Sequence, residues 1–384
     1  MKNFFKKIFH YLSELLNDLC GCNDPKVAVC EPKPYDPGDS YFLHVYKIRV
    51  NHCTEQGYVG LNVSSDLTVQ ALQEAGFKAE SVGVTDDNQI DRVIFKERPT
   101  HVIIKAYWVR ALKLEQLAKR YPSCQFIVCC HSKPTFLAQE KNGFARLAEV
   151  IDLSKRYANI RAAANNEETA SSFSKAFGVD VLYLPNVMPH QDGQASEMFI
   201  GTVVRVGIFC AIRPLKNVIS QVMAAINYAH DRGLELELHV LSGRKEMGGD
   251  VVIKNLEDIF NAVDPEKYRL IQHPWLNHKD FLELCKRMDI GMQVSYTESF
   301  NIVTCDFLSQ GVLIVTSPAV AWTPKSWQAQ PDSLEDIQAK MDQFLNATCE
   351  EKDAWLMEGS RALKSYNQCS LRVYEKIARD SKRW

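Results

Sequence analysis

The sequence predicts an α/β protein built from two doubly wound parallel-sheet domains facing a cleft, with an N-terminal helical extension and C-terminal helices. Three observations carry this. Apolar runs of strand length alternate with helix-periodic segments from residue 41 to 317. Several strands are continuously apolar, as in HVIIKAYW (101–108) and QFIVCCHS (125–132), the pattern of strands covered on both faces. The alternation stops at the polar stretch PHQDGQASEMFIG (189–201) and then restarts, which places a domain boundary there. A chain of 384 residues is long enough for two such domains.

The elements follow in order. YFLHVYKIRV (41–50) reads as a strand, and SSDLTVQALQEAGF (64–77) as a helix capped by Ser64, Ser65 or Asp66 and stopped at Gly76. KAESVGV (78–84) is a short strand. HVIIKAYW leads into the helix LKLEQLAKRY (112–121), and QFIVCCHS into a helical or irregular stretch to about 156. IRAAAN (160–165) is a strand, Glu167 and Glu168 open the helix ETASSFSKAF, and DVLYLPN (180–186) is the next strand. In the second half, VVRVGIFCA (203–211), LELELHVLSG (234–243), YRLIQHPW (268–275), IGMQVS (290–295) and LIVTS (313–317) are strands. Between them, 216–233, 251–263 and 278–288 have helical periodicity, the first ending at Gly233. The domains are therefore 1–40 (amphipathic helix and linker), 41–188, 201–333, and the helices of 334–384. The last of these, LRVYEKIARD (371–380), has an apolar face of Leu371, Val373, Tyr374 and Ile377 suited to packing back on the first domain.

Bulk properties exclude several classes. A net charge of −2 gives no electrostatic footprint for nucleic acid, and no apolar run is long enough to span a bilayer. The basic N-terminus is followed by no signal-peptide core, so the reading is cytoplasmic. Residues 3–19 carry a helical apolar stripe with Lys2, Lys6 and Lys7 at its start, which fits either a peripheral contact with an acidic membrane or packing on the protein body. Cys20, Cys22, Cys30 and Cys53 lack the paired spacing of a zinc site, and Cys129, Cys130, Cys210, Cys285 and Cys305 lie in apolar patterns. They read as reduced thiols, and no metal is assigned.

The chemistry concentrates in SYTESFNIVTCDFLSQGVLIVTS (295–317), where an acid, Glu298, precedes a helix N-terminus at Ser299–Asn301 and a second acid, Asp306, follows two turns on. Orphan amides at such a terminus favour phosphate, and carboxylates beside them accept from hydroxyl groups. The second motif, Ile212-Arg213-Pro214-Leu215-Lys216-Asn217, places two cations at the end of the second domain's first strand, with Asn217 able to cap the next helix. Strand ends of one sheet converge, so both loops face one cleft. Together they describe a nucleotide-sugar site.

These residues resemble retaining GT-B glycosyltransferases, whose two domains are Rossmann-like. TESFNIVTCDFLSQGVLIVTS is similar to their donor signature, IRPLKN to their phosphate loop, DVLYLPNVM to their hinge-proximal segment, and GLNVSSDLTVQALQEAGF to their Gly-rich loop and first helix. The resemblance covers about 41–330. It implies a nucleotide-diphosphate sugar as donor substrate, with no cofactor. It implies that Glu298 holds sugar hydroxyls, Asp306 holds the ribose, and Arg213, Lys216 and the amides of Ser299, Phe300 and Asn301 hold the diphosphate. Ser295 keeps the family's serine, His131 corresponds to a cleft histidine near the sugar, and Gly60 and Asn62 belong to the acceptor-side loop. The segment Gln272-His273-Pro274-Trp275 and the neighbouring Gly243-Arg244, from cleft position, flank the base. The acceptor stays open between glycan, lipid, protein, small molecule and modified nucleic acid.

The sequence departs from the pattern in three places. Asp306 is one methylene shorter than the family's Glu, Gly60-Leu61-Asn62 replaces paired glycines, and Leu313-Ile314 replaces a Pro-containing strand. The first forty residues match nothing in the family. Two competing readings keep the architecture: an inactive GT-B scaffold binding a sugar nucleotide or partner protein, and a nucleotide-sugar epimerase or hydrolase.

Overall fold

Two parallel sheets organise the protein, and both lie in one compact unit, Pro37–Trp384. The computed structural model describes residues 40–48, 60–189, 199 and 201–380. The extension of residues 3–19, the linker cysteines to Cys53, the end of the 41–50 strand and most of the 189–201 break lie outside them. In the first sheet β1 (Tyr41–Lys47), β2 (Lys78–Val84), β3 (His101–Lys105), β4 (Gln125–Cys130), β5 (Ile160–Ala164) and β6 (Leu182–Tyr183) take the order β2-β1-β3-β4-β5-β6. In the second, β7 (Val203–Ile208), β8 (Glu235–Leu241), β9 (Tyr268–His273), β10 (Ile290–Gln293) and β11 (Ile314–Thr316) take the order β11-β10-β7-β8-β9. Each sheet reverses its strand order beside its first strand, and such a switch point opens a crevice at the carboxyl ends.

The first-sheet helices are α1 (Gly60–Glu74), α2 (Gln89–Glu97), α3 (Ala111–Arg120), the single turn α4 (Pro134–Leu137), α5 (Gly143–Arg156) and α6 (Glu167–Phe177). Helix α1 starts at Gly60, one turn earlier than Ser64–Asp66 predicted. Ser64 and Ser65 are buried inside it, and Ser65 Oγ bonds the Leu61 carbonyl at 2.8 Å instead of capping. Gly76, with φ of 87°, follows the end of α1 as expected. Helix α2 was missed from sequence, although Ile90 and Ile94 form a buried i, i+4 pair and a parallel β2–β3 connection requires a crossover.

The second sheet carries α7 (Val218–Arg232), α8 (Gly249–Ala262), α9 (His278–Lys286) and α10 (Ile302–Ser309), followed by α11 (Leu334–Leu345) and α12 (Cys349–Asp380). Residues 371–380, read from sequence as a separate last helix, continue the helix that begins at Cys349, with Ser370 Oγ bonded to Tyr366 O at 2.8 Å. Helix α12 serves both halves. Gly359 lies so close to Trp327 of the second core that a Cβ would approach the indole to 2.4 Å. About four turns later Tyr374 stands edge-on to Phe42 at 5.6 Å and stacks on His44 of β1. Each sheet has its own apolar core, and no helix among the described residues is long and apolar enough to cross a membrane.

Candidate functional site

A cavity of about 880 Å³ opens where the carboxyl ends of the two sheets face one another. That volume suits a ligand of nucleotide-sugar size. Arg213, Lys216, Glu298, Ser299, Phe300, Asn301 and Asp306 line it from the second domain, and Gly60, Asn62 and His131 from the first.

The cation loop follows β7. Ile212 N–H donates to Arg244 O (2.9 Å), and Glu246 N–H donates to Ile212 O (2.9 Å), tying this loop to the one after β8. The tie brings Arg213 and Arg244 onto one carboxylate. Glu246 accepts from Arg213 Nη1 at 2.8 Å and from Arg244 Nε at 2.8 Å. Arg213 also lies over the ring of Phe136 from α4, 4.4 Å from its centroid, a cation–π contact across the cleft. Its Nε–H is buried and has no partner among the described residues. Burial pushes the Glu246 carboxyl up, but Arg244 and Arg213 outweigh it and hold the value down. Glu246 was missed from sequence; the charged run Arg244-Lys245-Glu246 at a strand end was the available signal.

Lys216 and Glu298 were expected to hold separate parts of a ligand, yet they meet directly. Lys216 Nζ bonds Glu298 Oε1 at 2.5 Å, with both side chains almost fully buried. Burial pushes Glu298 up, while Lys216, Ser295 and Arg213 pull harder and leave it ionised below the usual carboxylate range. Ser295 therefore stands behind Glu298 as its hydrogen-bond partner, outside the cavity lining, with its carbonyl accepting from Ser317 Oγ (2.6 Å). The expected free cations are corrected to cations that each hold a carboxylate. Glu140 also lines the cavity and feels both Arg213 and Glu246, so with Arg244 three cations face three carboxylates here.

Asn217 does not cap α7 with its side chain. It sits in the left-handed region (φ 53°), and its Nδ2 donates to Val294 O (3.0 Å) and Pro331 O (2.5 Å). This binds the cation loop to the strand end that launches the Glu298 loop. Asn301, also left-handed (φ 71°), caps α10 by accepting from Thr304 N–H at 3.0 Å. Ile302 and Val303, in the first turn, where backbone amides have no intrahelical partner, line the cavity.

Asp306 is buried and accepts from His278 Nε2, 2.8 Å away at the start of α9. Burial raises the Asp306 carboxyl, and the bond to Asp306 raises His278 above its ordinary 6.5 against the opposing effect of burial. Cys285, buried, and Cys305, partly buried, lie near Asp306 as thiols whose values burial raises, so they stay neutral. Both shifts in the pair mean that the fold holds protons more tightly than the unfolded chain. The His278 contribution is complete below pH 6.5 and is lost as pH rises through its raised value, while that of Asp306 is complete only below its ordinary 3.8. The melting-temperature advantage of the native protein over H278Q should therefore be largest near pH 6 and shrink toward pH 9. An advantage constant over that range would contradict the pair. His278 was not singled out in the sequence because it lies 28 residues from its partner.

Two base-side expectations are corrected. His273 does not line the cavity; its Nε2 lies 2.9 Å from His239 Nδ1 and the rings stack across β8 and β9. Gly243 does not line it either, and its role is packing: a Cβ there would lie 2.4 Å from the Trp275 backbone nitrogen. The wall on that side consists of Arg244, Trp275, Leu276 and His278, with Arg244 5.2 Å from the Trp275 ring. Phe300 touches the cavity but is mainly an anchor, stacked on Trp322 and packed on Tyr366 of α12.

On the first-domain side, α1 places Gly60 and Asn62 at the rim, and His131 follows β4. Ser299 Oγ donates to His131 O (3.0 Å), and Asn165 Nδ2 bonds both Ser299 Oγ and His131 Nδ1 (3.2 Å each), so the Glu298 loop is tied to the first domain. Thr135 Oγ1 and Thr297 Oγ1 make a second tie at 3.1 Å. Among the described residues no cluster of His, Cys, Asp and Glu could hold a metal.

Comparison with known proteins finds likeness in structure and none in sequence. No protein-family model and no curated protein matches the chain. An E. coli structure described as trehalose-6-phosphate bound with UDP-2-fluoro glucose superposes with a TM-score of 0.62 at 11% identity, covering 89% of this chain and 99% of that one. A UDP-forming α,α-trehalose-phosphate synthase from Burkholderia xenovorans gives 0.62 at 11% over 90% and 99%. The catalytic domain of starch synthase IV from Arabidopsis thaliana, bound to ADP and acarbose, gives 0.62 at 10% over 90% and 99%. The fold is GT-B.

Proposed function

We propose that this protein is a retaining glycosyltransferase that moves a sugar from a nucleotide-diphosphate sugar to an acceptor hydroxyl. One observation carries the reading. A buried Lys216–Glu298 pair joins the two motif loops at the crevice, beside an Arg213 with an unused Nε–H. Buried charges persist where they are paired or used, and this pair lies where a ligand must enter. The GT-B fold, shared with structures described as bound to UDP-2-fluoro glucose and to ADP, supports the same donor class.

In this reading the bond from the anomeric carbon to the diphosphate oxygen breaks with its electron pair. The acceptor oxygen bonds the same carbon from the same face, and its proton passes to the departing diphosphate. Lys216 and the Arg213 Nε–H meet the charge that develops on that oxygen. Glu298, held ionised, accepts from sugar hydroxyls, and the first-turn amides of α10 take a phosphate oxygen. Asp306 and His278 act together on the ribose diol, one accepting and one donating, so the imidazole restores the reach that the shorter side chain lacks.

A thermal-shift panel of UDP-, ADP-, GDP- and dTDP-sugars tests the donor, since a ligand that binds the native state raises its melting temperature by mass action. At least one should stabilise the protein, and labelled donor should then release nucleoside diphosphate. Stabilisation by none would sink the proposal. Binding without release under varied acceptors would favour a scaffold.

A further inference from the structure

We propose that the first-domain floor of the cleft, built around Lys105 with His131 beside it, binds an anionic group, a phosphate monoester or a carboxylate, carried by the acceptor. Calling that molecule the acceptor rests on the transferase reading; the anion site does not.

Lys105 is the last residue of β3, only 1% exposed, and it lines the cavity. It has no ion pair and no side-chain hydrogen bond within the described residues. Among the described residues its charged neighbourhood contains no carboxylate: His44 and His131 lie close enough to feel its charge, and Cys129 is its register partner on β4. Burial lowers its ammonium to about 8. Every other buried cation in the cavity holds an acid, Lys216 on Glu298 and Arg213 on Glu246. A buried ammonium without a partner is costly, and methionine would fill the same space without that cost.

The surroundings supply donors. Asn165 Nδ2 can only donate, so His131 Nδ1 accepts and the ring proton sits on Nε2, which has no partner among the described residues. His44, fully buried behind the lining and stacked on Tyr374, lies close enough to Lys105 to feel its charge but does not itself line the cavity. Asn186, buried at 3% exposure and also in the lining, presents an Oδ1 without a partner, suited to a hydroxyl beside the anion. The chain leaves β3 through Ala106 at φ of 69°, a conformation that costs a non-glycine residue energy and is found preferentially at functional sites. A neutral sugar satisfies none of the cationic need. In the transferase reading the donor diphosphate sits on the second-domain wall, at Arg213 and Lys216.

Titration calorimetry with inorganic phosphate at pH 8.5, in two buffers of different ionisation heat, tests this on the native protein. An anion at Lys105 raises the ammonium value, so binding should take up a substantial fraction of a proton. K105M should abolish that uptake and weaken phosphate at least tenfold while raising the melting temperature, which also verifies folding. R213M should leave the uptake in place. Glycerol 3-phosphate and glucuronate, compared with glycerol and glucose, separate monoester from carboxylate. Phosphate binding without proton uptake, or equal affinity in K105M, overturns the site. If phosphate requires Lys105 but no sugar nucleotide stabilises any variant, the transferase reading falls and the anion site stands.

Discussion

Replacing Lys216 with methionine is expected to destabilise the protein by about 3–5 kcal/mol, the usual cost of removing one partner from a buried ion pair. Glu298 would be left nearly dry, with burial driving its carboxyl upward and only Ser295 and the more distant Arg213 opposing it. The effect should depend on pH in a defined direction. In the native protein Glu298 is held below its ordinary value, so its stabilisation is present at neutral pH and lost as pH falls through the lowered value. In K216M the carboxyl takes a proton readily, so the difference from native narrows on acidification. Charge-assisted contacts of this kind are worth about 1.5–3 kcal/mol, so transfer should also slow by roughly one to two decades. The K216M/E298L double variant should regain much of the lost stability while remaining inactive, because no unpaired charge is left. Urea melts of the single and double variants, with nucleoside diphosphate release as the rate, decide it. Additive losses in the double variant would show that the two groups are not coupled.

Asn217→Ala should cost about 2–4 kcal/mol. It removes two donors, to Val294 O and Pro331 O, which at about 1 kcal/mol or more per buried carbonyl forms the larger share. It also forces alanine into a left-handed conformation, worth roughly 1–2 kcal/mol. Asn217→Gly relieves the second part only, so it should recover about 1 kcal/mol relative to alanine. Since the side chain ties the cation loop to the strand end before Glu298, both variants should weaken donor binding although Asn217 does not line the cavity. Equal stability of the two variants would remove the backbone contribution, and native stability in N217A would remove both.

The strands were legible because their apolar runs are local and continuous, as in HVIIK and QFIVCC. Helix α2 was missed because its apolar stripe is short and lies among charged residues, while its pairing requirement comes from the sheet. The two motif loops were legible as neighbours for a topological reason: β7 and β10 are adjacent parallel strands, so their C-terminal loops emerge at the same edge. Their internal wiring was not. Glu246 reaches Arg213 across 33 residues, Glu298 reaches Lys216 across 82, and Asn165 meets Ser299 across 134. Spacing in the chain carries no information about such contacts. The same limit misplaced His273 and Gly243: both sit beside the right strand ends, but side-chain direction on β9 and a close backbone approach to Trp275 turned them to packing.

The sequence by itself thus determined the α/β alternation, the two sheets and the loops where cations and carboxylates collect, since periodicity and chain order are local properties. Only the tertiary structure decided which charges are paired and which is left alone. Burial and partner distance set the state of a charge, and both arise only when segments far apart in sequence are packed together. Lys105 is the sharpest instance, a strand-end lysine unremarked in the sequence that the fold makes a buried cation without a counter-ion among the described residues.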